Sequence, residues 1–370
     1  MRVSRAIAAA SALALAIGVA ACGSSSSSAT ASHAASSGAA SSTGSTGSGS
    51  STGAKSLTGA GSTLVAPLMS NWQPAYQSKT GVSITYGAIG SGGGIKQISA
   101  RTVDFGASDA PLTPSQERAC NGCLEIPWAL AGVGIAYNVK GVPNHLHLTG
   151  PVLADIWMGR IKAWDDPAIK ALNPGVNLPS TPIVPVHRTD GSGDTFAFTN
   201  YLSKVSPTFK STIGNATTVA WPGGIGGKGN SGVGGAMSST NGAIAYITMA
   251  YVVANHFDYG LVENAAGRFP QPSVSSILAA AAAFPSIPAG GTQGISITDP
   301  PASAPGAYPI STFTYVLVPR QSKSKAVATA LRQFIGWAIT DGQSYGPKLL
   351  FAPLPASVVA ADRSTLNLVG

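Results

Sequence analysis

Charge is scarce in this chain: only 10% of its 370 residues are Asp, Glu, Lys or Arg. Soluble domains usually carry roughly 25%, so the composition excludes a charge-rich disordered protein and a long coiled coil. A second long apolar run is also missing, which leaves a soluble body with ample core. The basic residues stand singly, with no Lys/Arg cluster interleaved with aromatics, and a nucleic-acid partner is excluded on that ground. Cysteine is limited to three positions. Glycine and proline are abundant by contrast, at 45 and 26 residues, well above the ~12% of a chain that the two usually supply. The length suggests two domains, at roughly 150 residues each.

The N-terminus reads as a targeting segment. Arg2 and Arg5 precede an apolar, small-residue-rich run over 6–20 that is too short for a durable membrane helix, and residues 1–21 are the expected export signal. The signal ends in Val19-Ala20-Ala21-Cys22, which resembles the lipobox of bacterial lipoproteins; that resemblance implies a lipidated Cys22 as mature N-terminus, anchored to the outer face of the cell membrane. Over 23–56, 32 of 34 residues are Gly, Ser, Ala or Thr, which cannot bury enough apolar surface to offset chain entropy. Residues 22–56 are therefore the expected flexible tether. Without the two leader arginines the formal net charge falls from +8 to +6, a mildly basic balance. The other two cysteines form Cys120-Asn121-Gly122-Cys123, a spacing open to a redox site, half a zinc site or a local disulfide. Zinc would need two further ligands at suitable spacing, and no other cysteine supplies one. Outside the cytoplasm a disulfide closing a small loop is expected, and no metal or cofactor.

Beyond the tether, short apolar segments alternate with helical patterns, the mark of an α/β fold. Val65, Met69, Trp72 and Tyr76 recur at helical spacing until Gly81. Strands are expected over 82–86, 103–107, 126–138, 183–187, 242–247 and 313–318, and helices over 95–100, around 153–157, from Asp194 onward and over 326–337. The stretch from about 265 to 304, rich in Ala, Pro and Gly, carries no legible pattern.

Four polar loops sit where a strand ends or a helix begins, the places where free N–H groups and the helix dipole can gather an anion. In Gly59-Ala60-Gly61-Ser62-Thr63-Leu64, the nearby Pro67 fixes the helix start between Thr63 and Ala66, since proline is tolerated only in a first turn. The N–H groups of Thr63 and Leu64, with the Thr63 hydroxyl, are then expected to be free for a ligand. Ser91 is placed as N-cap of the helix carrying Lys96. Asp109 stands at the carboxyl end of a strand, where open α/β sheets place ligands. The fourth loop, Arg188-Thr189-Asp190-Gly191-Ser192-Gly193-Asp194-Thr195, joins a guanidinium able to fork onto two oxyanion oxygens with a turn rich in backbone donors. Asp190 is near enough to orient Arg188. Other matches fail: the glycines around Lys228 lack phosphate-loop spacing, Gly191-Ser192-Gly193 is not a nucleophile elbow, and His145, His147 and His187 read as ordinary loop or strand residues.

At these loops the sequence resembles the phosphate-binding protein of bacterial phosphate-specific ABC transporters. The resemblance rests on GAGST at 59–63, GSGGGIKQI at 90–98, VDFGASDAP at 103–111, GRIKAWDD at 159–166, RTDGSGDTF at 188–196 and GGKGNSG at 226–232. It implies an α/β, two-lobed periplasmic-binding-protein fold of type II, two mixed-sheet lobes joined by a two-stranded hinge, with 57–129 plus 305–370 as lobe I and 130–304 as lobe II. It further implies phosphate contacts from Thr63, Leu64, Ser91 and Asp109 on one lobe and from Arg188, Ser192 and Gly193 on the other, with Asp190 orienting Arg188. Asp194 stands where a threonine is usual in enteric members, so a carboxylate that only accepts replaces a hydroxyl. An ionised Asp109 can accept from the O–H of phosphate but would face only lone pairs on sulfate. The expectation is a monomeric, non-enzymatic receptor that passes mono- or dihydrogen phosphate to a permease and ATPase complex. A receptor for another oxyanion, or a surface phosphatase or hydrolase, is the alternative.

Overall fold

Strand pairing starts at Ser56 in β1 (Ser56–Gly61), and Ala54 already donates its N–H to the Ala326 carbonyl at 3.1 Å. The tether expected through Ser56 therefore ends earlier, because a backbone ladder accepts polar side chains on its exposed positions. The computed structural model describes residues 54–284, 290–291 and 294–370. The expected signal, Cys22 and the tether up to residue 53 lie outside the described residues.

Helix α1 (Ala66–Thr80) follows β1, carrying Pro74 in its interior as well as Pro67 in its first turn, burying Leu68, Met69, Trp72 and Tyr76 and ending at Gly81, whose φ of 76° closes a left-handed cap. Next come β2 (Ser83–Ala88), α2 (Ser91–Ser99), β3 (Phe105–Ser108) and α3 (Pro114–Ala119). Cys120 and Cys123 form a disulfide just after α3, with Cα atoms 5.4 Å apart. Strand β4 (Leu124–Asn138) is buried along all but its last residue. The middle of the chain holds β5 (His147–Leu148), α4 (Gly150–Trp157), α5 (Pro167–Leu172), β6 (Val184–Arg188), α6 (Gly193–Val205), α7 (Pro207–Thr212), β7 (Ile225–Gly227), α8 (Gly229–Ser238), β8 (Ala243–Thr248), α9 (Met249–Ala254), β9 (Asp258–Val262) and α10 (Val274–Ala282). Strand β10 (Ser311–Val318) and helices α11 (Lys325–Ala338) and α12 (Ala356–Leu366) complete the described chain. Among the described residues no helix is long and apolar enough to cross a membrane.

The strands run in the order β2-β1-β3-β10-β4-β8-β6-β7, with β9 joining β4 to β5. The first run is parallel from β2 to β3 and antiparallel at β10. Strand β4 pairs with β10 over Leu124–Gly132 and with β8 over Val133–Asn138, so one continuous strand passes from the first run into the second. The return limb is irregular: residues 294–310 contain no helix or strand before β10 begins. Each run has its own aromatic packing, Trp72, Phe105, Trp128 and Phe334 behind the first and Trp157, Phe198 and Tyr246 behind the second. These layers hold the strand ends at which the four polar loops lie.

Candidate functional site

The site is built around two buried carboxylates. Asp109 follows the last residue of β3, and Ser62 follows the last residue of β1, which pairs beside it. The Ser62 oxygen accepts the N–H groups of Leu64 and Val65 at 3.0 and 3.3 Å and donates its proton to the Asp109 carboxylate at 2.6 and 2.7 Å. Ser91 also reaches Asp109 Oδ2, at 3.3 Å, and Thr314 of β10 donates to Oδ1 at 2.7 Å. Burial and the nearby Asp194 charge push the Asp109 carboxyl up to about 7, against the pull of Ser62, Thr314 and Arg188.

The opposite half begins at Arg188, the last residue of β6. Its Nε and Nη2 fork onto Asp190 at 2.8 and 2.5 Å, while Nη1 donates to Asp194 Oδ2 at 2.6 Å. Burial alone would raise Asp190, but the guanidinium more than offsets it and holds the carboxyl below its ordinary range. Asp194 is fully buried and shifted upward by that burial, with Arg188 opposing. Its Oδ1 has no hydrogen-bond partner among the described residues. Ser192 caps α6 by accepting the Thr195 N–H at 3.2 Å. Among the described residues, three carboxylates thus surround one guanidinium.

Contacts between the two halves are short. The Gly92 N–H donates to the Gly191 carbonyl at 2.9 Å, and the Gly193 N–H to Ser91 Oγ at 3.1 Å. Asn230, in the first turn of α8, donates through Nδ2 to both Thr63 Oγ1 and Asp194 Oδ2 at 3.0 Å, and its backbone N–H reaches Thr63 Oγ1 at 3.3 Å. With the Thr63 oxygen accepting twice, its own proton is left to donate. A β-carbon on Gly193 would lie 2.3 Å from Asp109 Cβ, so only glycine permits this approach. Beside the junction, Ile89, Gly92 and Lys96 face Thr189, Gly191 and Thr218 across a groove of about 800 Å³.

The structure thus links Ser91, Asp109 and Gly193, and separately links Thr63, Asn230, Asp194, Arg188 and Asp190. It corrects two expectations. The Leu64 N–H is not free, because it turns back onto Ser62. Ser91 is not an N-cap: Gly90 holds that position with φ of 87°, α2 already runs through the glycines, and the Ser91 hydroxyl bridges the halves instead. The Arg188 fork closes on Asp190, the residue expected to orient it. Ser62 and Asn230 lay inside loops whose sequence was informative, yet their roles depend on partners far along the chain; Thr314 carried no signal, being one more residue of an apolar strand.

Known proteins resemble this chain along most of its length. A family model described as a PBP superfamily domain matches residues 46–342. The phosphate-binding protein PstS of Xylella fastidiosa is 43% identical over 300 residues, which are 81% of this chain and 81% of that protein. The phosphate-binding protein PstS of Pasteurella multocida is 39% identical over 300 residues, covering 81% of this chain and 86% of its own. A crystal structure of a phosphate binding protein from Stenotrophomonas maltophilia superposes with a TM-score of 0.62 at 19% identity, over 84% of this chain and 93% of the other. The shared architecture is the α/β periplasmic-binding-protein fold of type II.

Proposed function

Since the chain belongs to the PstS family of phosphate-binding proteins, we propose that it captures inorganic phosphate between its two halves and delivers it to the permease and ATPase of a phosphate ABC transporter. The lobes are read as 57–129 with 305–370 and 130–304, and the β4 crossing at Gly132/Val133 supports a pivot near the first boundary. The protein is read as an exported monomer held to the outer face of the membrane through Cys22. The ligand-facing groups are Thr63, Ser91, Asp109, Arg188, Ser192, Gly193 and Asp194, with Asp190 and Ser62 holding Arg188 and Asp109 in place.

The observation that carries this reading is the unpartnered Asp194 Oδ1 in a site that otherwise gathers helix starts and a guanidinium. Such a frame attracts an anion, yet a buried carboxylate oxygen demands a donor. A protonated oxyanion meets both demands, and sulfate meets only the first. Among the described residues the Ser192 hydroxyl meets the Thr195 N–H and Asp194 and no histidine, which supports a binder over a hydrolase. The test is calorimetric titration with phosphate and with sulfate, for wild type and Asp109→Asn. Wild type is expected to prefer phosphate by orders of magnitude, and the amide, which can donate, to narrow that ratio about tenfold or more. Equal affinity of the wild type for the two anions overturns the reading.

A further inference from the structure

The Asp109 carboxylate is held from a strand that lies 205 positions away along the chain. Thr312 and Thr314 alternate along β10, and both turn toward Asp109: the first donates to its carbonyl at 3.1 Å, the second to Oδ1 at 2.7 Å. Thr314 is fully buried. The β4–β10 register shifts immediately after it, where the partner steps from Ala129 to Pro127, and an irregularity of this kind re-aims a side chain. Ser62 has a single proton to share between Oδ1 and Oδ2, and Ser91, whose oxygen accepts the N–H groups of Asp109 and Gly193 at 3.2 and 3.1 Å, has its own proton directed at Oδ2 at 3.3 Å. Thr314 is thus the donor whose one target is Oδ1, and Oδ2 is the oxygen that lies against Gly193, on the opposite half.

We propose that Thr314 is a positioning residue for phosphate recognition: by donating to Oδ1 it fixes the rotation of the Asp109 carboxylate and keeps it ionised, so that Oδ2 is presented as acceptor to the ligand's O–H. The proposal rests on the phosphate reading above. The charged and titratable groups that face Asp109 are Asp194 from α6, Arg188 from β6 and Tyr86 from β2. Asp194 opposes a charge on Asp109, while Tyr86, held neutral by burial and by that same charge, adds none. Arg188 supports it, but its guanidinium is already shared between Asp190 and Asp194. The hydroxyls carry much of the remaining support, which burial makes costly to lose.

Thr314→Val keeps the shape and removes the donor, and Thr314→Ser restores the donor. Phosphate affinity is measured by calorimetry for each full chain from pH 6 to 8.5. Taking the ratio to wild type at each pH cancels the ionisation of phosphate itself. The valine variant is expected to bind about tenfold more weakly at pH 6, the loss of one hydrogen bond to a charged group, with the ratio shrinking by pH 8.5 to the remainder left by the freed rotation of the carboxylate; serine restores the wild-type profile. Thr314→Ala gives the same readout should the valine variant not fold. A ratio independent of pH, or a serine variant that behaves like valine, overturns the proposal while leaving the phosphate reading intact. Absence of phosphate binding by the wild type overturns both.

Discussion

Asp194 decides the chemistry of this site at the scale of single residues. A threonine there would bring a proton to an anion; the carboxylate asks for one. With Asp109 and Asp190 close by and, among the described residues, only Arg188 to balance them, burial and then like charge resist each added negative charge, as the upward shifts of Asp109 and Asp194 register. Phosphate that retains two protons can satisfy both buried acceptors, whereas phosphate that has lost the second cannot. Wild-type affinity is therefore expected to fall as pH rises from about 6 to 8, and more steeply than in Asp194→Thr, by up to roughly tenfold across that range. Parallel pH profiles of the two proteins in calorimetric titrations would contradict this account of Asp194.

Helix starts are the elements that matter most. The starts of helices α2 and α6 touch, Gly92 on Gly191 and Ser91 on Gly193, and the contact works because glycines stand in and just before both first turns. Gly193 is the first residue of α6 and has no positive φ, so alanine there costs the isolated helix nothing. Its methyl group would nevertheless collide with Asp109 across the junction. Gly193→Ala is expected to leave the circular dichroism spectrum unchanged while weakening phosphate binding about 10- to 100-fold, the usual cost of overpacking converted to affinity. Unaltered binding would show that the two helix starts do not need to approach this closely. The glycine pattern of the loops is plain in the sequence, where it predicts turns that open helices. That Gly92, Gly93 and Gly94 belong to a helix follows from its packing: a β-carbon on Gly94 would lie 2.6 Å from the Ala60 carbonyl, so strand and helix run too close for any side chain.

On the scale of the whole molecule, β4 and the irregular return segment 294–310 join the two sheet runs. That segment also ties them by side chains. The Gly294 N–H donates to Glu125 at the start of β4, while Ser296 and Thr298 donate to Asn200 and Lys204 donates to the Thr298 carbonyl, both from α6. Stability of the assembled fold should depend on pH through carboxylates buried without a counter-charge. Asp362 in α12 is 2% exposed, its Oδ2 has no partner among the described residues, and burial pushes it up to about 8. A carboxyl raised in the folded state holds its proton longer there than in the unfolded chain, so its contribution is most favourable at low pH and is lost as pH rises toward about 8. The ligand-free Tm is expected to drop between pH 5 and 8.5, and Asp362→Asn to recover roughly 5 °C of it at pH 8.5. A variant whose Tm follows the wild-type curve at every pH would exclude Asp362 as the source.

By itself the sequence determined most of the local structure. Helical spacing from Val65 to Tyr76 with a stop at Gly81, the long apolar run that became β4, and four polar loops at element ends follow from periods of 3.6 and 2 and from the conformational needs of glycine and proline, which act over a few residues. Those loops also held most of the candidate site, because helix starts and strand ends announce themselves locally. Tertiary structure alone decided which hydroxyl serves which carboxylate. Ser62, Thr314 and Asn230 act on Asp109 and Asp194 from 47, 205 and 36 positions away. Hydrogen bonds of that separation are set by how sheets register and halves meet, and they leave no periodic trace in the residues that make them.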